Sequence, residues 1–116
     1  MKSNSLNIVA LLCSSLFLIR CNDSSKDPYQ LYHQNCAICH SLDGADKLGP
    51  SLKGIYGKSI ELNDGAIAVA DDKYILNSII YPNKDIVKGY SGSMPSFEDD
   101  LSSDEIDLLI DFIKKY

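Results

Sequence analysis

The chain is poor in the residues that would staple it, unfold it or charge it positively. Its four cysteines fall at 13, 21, 36 and 39, so no spare thiols remain for a disulfide framework: the first lies in an apolar leader, the second ends it, and the last two form one short motif. Seven glycines and four prolines in 116 residues, with 45% hydrophobic residues, exclude a disordered main body. Basic residues number 11 against 16 acids, for a formal net charge of −5. Lys2 and Arg20 both belong to the first twenty residues, which hold no acid, so the remainder is more acidic still. That balance excludes nucleic-acid binding, which needs a basic footprint, and favours a soluble surface. The apolar run Leu6 to Ile19 is broken by Asn7, Ser14 and Ser15 and is too short to span a bilayer comfortably. No second Cys or His pair follows His40, so the two spaced ligand pairs of a structural zinc cannot be assembled. The length allows one small domain once a leader is removed.

Against these absences stands Cys36-Ala37-Ile38-Cys39-His40, which reads C-x-x-C-H, the attachment signature for a c-type haem. Thiols three residues apart on one turn face the same side, where both reach the vinyl groups of one porphyrin. The next residue, His40, is then placed to give its imidazole to the iron. A thioredoxin-like pair would need a βαβ setting, which the sequence does not supply.

Residues 1–20 read as an export signal, with Lys2 as the positive flank. Leu18-Ile19-Arg20-Cys21 is similar to a bacterial lipobox, although Arg20 stands where a small residue is usual, and Cys21 is the candidate lipidation site. Residues 21–27 then form a lipid anchor and flexible tether.

Further along, Asp27-Pro28-Tyr29-Gln30 predicts a helix start, with the helix running into the motif near Cys39. Residues 41–58 are loop-like. Within them the carbonyl of Pro50 can accept the His40 ring proton, and Leu52 can pack on a porphyrin. Alternation around Asn63-Asp64-Gly65 predicts a small hairpin from Ile60 to Val69. A second helix starts at Asp71 and stops at Pro82. No periodicity marks residues 82–100, and a loop of that length needs a task. Met94 supplies one: apart from Met1 it is the only methionine, and His33 lies on the same helix as the motif, so Met94 is the remaining strong sixth ligand. The last helix carries a capping box, Ser102 with Glu105, and an apolar stripe of Ile106, Leu109, Ile110 and Ile113. The fold class is therefore all-α, a few helices around one covalent haem c, with one short hairpin.

The ordered set Cys36–His40, Gly49-Pro50-Ser51-Leu52, Met94-Pro95 and the capped final helix resembles class I cytochrome c over residues 28–116. The run from Leu62-Asn63-Asp64-Gly65 through Ile86-Val87-Lys88-Gly89-Tyr90 to Met94-Pro95-Ser96-Phe97 is similar, more narrowly, to the cytochrome c domain fused to subunit II of caa3-type cytochrome oxidases. The resemblance implies His40 and Met94 as axial ligands, Cys36 and Cys39 as thioether cysteines and Pro50 as the support for His40. Tryptophan is absent, so the indole that often bonds a haem propionate in class I must be replaced, with Tyr56, Tyr74, Tyr81 and Tyr90 as candidates.

The expected function is single-electron transfer in a respiratory chain, without substrate turnover, by an exported and lipid-anchored monohaem protein on the periplasmic or outer-facing side of a bacterial membrane. Expected partners are redox proteins such as a haem-copper oxidase or a quinol-oxidising complex, with the chain itself monomeric outside any complex. Lys47, Lys53, Lys58, Lys84 and Lys88 are expected to ring the exposed porphyrin edge and steer it to an acidic partner site.

Overall fold

The computed structural model describes residues 26–116. Residues 1–20, expected to be an export signal, and the lipidation candidate Cys21 lie outside them. The described chain forms α1 (Pro28–Asn35), β1 (Ser59–Glu61), β2 (Ile67–Val69), α2 (Asp72–Ile80) and α3 (Ser103–Ile113), in that order. Among the described residues no helix is long and apolar enough to cross a membrane.

Each helix begins at a side-chain cap. Asp27 accepts the Tyr29 amide at 3.1 Å, with Pro28 in the first turn, where its missing N–H costs nothing. Asp71 accepts the Tyr74 amide at 2.8 Å. Ser102 and Glu105 form the reciprocal capping box that their spacing predicts.

The first helix is shorter than expected. It ends at Asn35, and the haem motif occupies a separate turn. The Tyr32 carbonyl accepts both the Cys36 and Ala37 amides, which closes the helix, and the Cys36 carbonyl then accepts the Cys39 and His40 amides at 3.1 and 2.9 Å. Cys36 and Cys39 still share one turn, so the spacing argument survives the correction.

The core lies where α3 packs on α1 and α2. Leu31 and Tyr32 of α1, Ile75 and Ile79 of α2, and Ile106, Leu109, Ile110 and Ile113 of α3 are all buried. Phe112 joins them, its ring 5.5 Å from that of Tyr32 and 4.9 Å from that of Tyr116, so the buried face is wider than the stripe read from sequence.

The hairpin pairs Ser59 with Val69, Ile60 with Ala68 and Glu61 with Ile67. Its inner face holds Ile60 and Ala68, while Ile67 and Val69 are exposed. Leu62 lies just past β1, buried, and bridges to Val87 in the long loop.

Glu105 also accepts a hydrogen bond from the Lys26 ammonium, which ties the chain leading into α1 to the start of α3. That bond first, and the Ser102 amide second, lower the Glu105 carboxyl from 4.5 to about 2. A depressed folded-state value means that the carboxylate stabilises the fold above about pH 4.5 and loses this effect as the pH falls toward 2. Melting midpoints followed by circular dichroism should therefore drop across that interval. Glu105→Gln should melt lower at neutral pH and show a smaller drop.

Candidate functional site

An apolar cleft opens between α2, α3, the segment from Cys36 to Leu52 and the long loop ending at Met94. It encloses about 1050 Å³, counting its open mouth. Cys36, Cys39, His40, Pro50, Leu52 and Met94 all line it, so residues far apart in sequence meet on one surface.

His40 is held from three sides. Its Nδ1 lies 2.7 Å from the Pro50 carbonyl oxygen. A carbonyl only accepts, so Nδ1 is the nitrogen that donates, and in the neutral ring this tautomer leaves the lone pair on Nε2. The Tyr32 hydroxyl donates to the His40 carbonyl at 2.7 Å and fixes the backbone behind the ring. Gly49 supplies the third constraint: a Cβ there would sit 2.5 Å from His40 Cε1 and 2.9 Å from Nδ1, so the ring occupies space that only glycine leaves.

The Pro50 carbonyl is aimed in turn by a polar loop. The Ser41 hydroxyl bonds the Ala45 carbonyl at 2.5 Å and the Ser51 hydroxyl at 2.9 Å, and the Ser51 amide donates to Asp46 at 3.1 Å. Sequence reasoning missed Gly49, Ser41, Ser51 and Asp46 in these roles. In a loop of small polar residues their spacing carries no periodic signal, and Gly-Pro alone marks only a turn.

The two cysteines are unlike a redox pair. Burial first, and the neighbouring Cys39 second, push the Cys36 thiol up from 9.0 to about 11. A thiol-disulfide catalyst needs a lowered value, which a helix N-terminus favours, whereas Cys36 caps the C-terminus of α1. No cluster of three His, Cys, Asp or Glu that could hold a bare metal ion occurs among the described residues.

Met94 reaches the cleft from a loop shaped by Gly92, whose φ is +69° and whose missing Cβ would stand 2.7 Å from Ile86 Cδ1. Of the four tyrosine candidates, Tyr74 and Tyr90 line the cleft. Tyr56 and Tyr81 do not: their hydroxyls donate to Asp72 and Glu98 at 2.8 and 2.9 Å. None of the five lysines expected at the mouth lines the cleft. Lys88 pairs with Glu61 at 2.5 Å, and Lys47 donates to the Ala37 carbonyl at 2.8 Å. Ile38 and Leu48 are exposed apolar residues of this region, at 80% and 69%.

These residues fit a haem. The walls are apolar, two thiols share one turn, one imidazole has a committed Nδ1 and a free Nε2, and a thioether arrives on an independent loop. Gly49→Ala is expected to drive the His40 ring off the Pro50 carbonyl. The ring N–H resonance, slow to exchange in the wild type, should then broaden or vanish in the variant.

No curated protein matches the chain. The sequence model of the family described as cytochrome C oxidase, cbb3-type, subunit III matches residues 23–113, nearly the whole of the described part and most of the chain. Together with a C-x-x-C-H turn facing an apolar cleft, this match shows that the chain belongs to that family and is a c-type cytochrome domain, of a kind that binds haem c covalently and serves in electron transfer.

Proposed function

We propose that the protein is a monohaem c-type cytochrome that carries single electrons in a respiratory chain and turns over no substrate. One observation carries this reading: Met94 and His40, from unconnected parts of the chain, line the same apolar cleft. Cys36 and Cys39 would form the thioethers, His40 Nε2 and Met94 Sδ would be the axial ligands, and Leu52 would serve as wall. When bound, haem c supplies a one-electron iron couple, biased by an imidazole–thioether pair toward the reduced state. The Pro50 carbonyl orients the His40 ring by accepting a hydrogen bond from its Nδ1–H. If His40 and Met94 held the iron from both sides, they would leave no position for oxygen or peroxide.

Exposed Ile38 and Leu48 support docking of a redox protein by apolar contact as well as by charge. The partner in this reading is a haem-copper oxidase or a quinol-oxidising complex. Residues 28–116 form the cytochrome domain, and export, cleavage of residues 1–20 and a lipid on Cys21 would hold it through the 21–27 tether at the outer-facing side of a membrane. Mass analysis of the mature N-terminus tests this part of the proposal.

The matched family's description favours a second reading, in which the chain is a fixed haem subunit of a membrane oxidase. Purification from membranes in high salt separates the two: a mobile carrier elutes alone, whereas a fixed subunit stays with the complex. For the site itself, the reduced wild-type protein should not bind carbon monoxide, while Met94→Ala should bind it and lose the thioether–iron absorption band of the oxidised form. Carbon monoxide binding by the wild type at neutral pH would sink the assignment of Met94.

A further inference from the structure

Two stretches well separated in sequence, Glu61 to Asn63 and Ile86 to Tyr90, are bonded to each other. The Asn63 amide donates to the Ile86 carbonyl at 2.8 Å, and its side-chain Nδ2 donates to the Tyr90 carbonyl at 3.1 Å. Its Oδ1 accepts the Gly89 amide at 3.2 Å. On either side, Leu62 bridges to Val87 and the Lys88 amide donates to the Glu61 carbonyl at 2.9 Å.

We propose that Asn63 is a positioning residue: its carboxamide fixes the turn from Val87 to Tyr90 and thereby the loop that presents Met94 to the cleft. The inference rests on the reading of Met94 as an axial ligand. The turn closes through the Tyr90 amide and the Val87 carbonyl at 3.1 Å, with Gly89 at a φ of +88°. In such a turn the third residue's N–H points away from the closing bond, and Asn63 Oδ1 takes it up. Asparagine suits the task because one rigid amide both donates and accepts. Asn63 itself does not line the cleft, whereas Ile86, Val87, Tyr90, Gly92 and Met94 do, so its action on the site is indirect.

Downstream of Met94 the loop is tied again. The Phe97 amide donates to the Ile79 carbonyl at 3.0 Å and the Ser96 hydroxyl to the Ile80 carbonyl at 2.6 Å, satisfying acceptors that the end of α2 leaves free. Met94 is therefore suspended between two fixed points, and Asn63 supplies the upstream one. The hairpin acquires a purpose by the same argument: its Asp64–Gly65 turn, with the Ala66 amide on Asp64 at 2.9 Å and Gly65 at a φ of +84°, sets the direction of Asn63.

The test uses oxidised holoprotein titrated with imidazole, which competes with Met94. Its apparent affinity rises in proportion to the fraction of molecules in which Met94 has let go. Asn63→Ala removes two solvent-exposed side-chain bonds and should raise that affinity about tenfold. Asn63→Asp keeps the acceptor for Gly89 and should show a smaller rise. Lys88→Ala, which breaks only an exposed ion pair with Glu61, should stay within about twofold of the wild type. An Asn63→Ala protein with wild-type imidazole affinity and an unchanged thioether band overturns the proposal. Should that variant fail to mature, amide exchange in the wild type decides: slow exchange at Gly89 supports the role, and exchange at the rate of a free loop overturns it. A wild-type protein without a thioether band would show instead that the Met94 reading had failed, and the positioning role with it.

Discussion

Leu109 is 1% exposed, and it belongs at once to the helical core and to the wall of the cleft, as do Ile75, Ile79 and Ile113. In a domain this small there is not enough apolar sequence to build a core and a separate pocket. The face of α3 that packs on α1 and α2 is extended sideways to become the cleft wall. The capping box at Ser102 and the aromatic contacts of Phe112 therefore bear on the site as well as on stability, since any rotation of α3 would move the wall.

What the helices do not supply, two polar loop systems do. The segment after the C-x-x-C-H turn is ordered by Ser41, Ser51 and Asp46, and its product is the aim of one carbonyl at His40. The Met94 loop is ordered from outside itself, by the hairpin on one side and by the end of α2 on the other. Neither loop contains a helix or a strand, yet both are fixed by hydrogen bonds, most of which involve backbone groups.

The helix starts were legible in sequence because caps are local chemistry: Asp27, Asp71 and Ser102 each act on an amide two or three residues ahead. The apolar stripe of the last helix and the separation of Met94 from the motif were legible for the same kind of reason, periodicity and scarcity. The overlong first helix was a boundary error, because nothing in Asn35-Cys36-Ala37 forbids another helical turn and only the shared Tyr32 carbonyl closes it. Asn63 was read as a turn residue and is also a bridge to residues more than twenty positions away. Charge patterning does not encode the loop paths that set where Lys47, Lys53, Lys58, Lys84 and Lys88 lie. Ile67 and Val69 show the opposite limit: alternation found the hairpin but not which of its faces meets the core.

The raised Cys36 thiol has a consequence for how such a protein is made. Held that high by burial, the thiol is almost wholly protonated at neutral pH, which makes it a sluggish partner for oxidants and for alkylating chemistry alike. The same shielding would slow thioether formation inside the closed fold, whereas an open polypeptide would present both thiols to the vinyl groups unshielded.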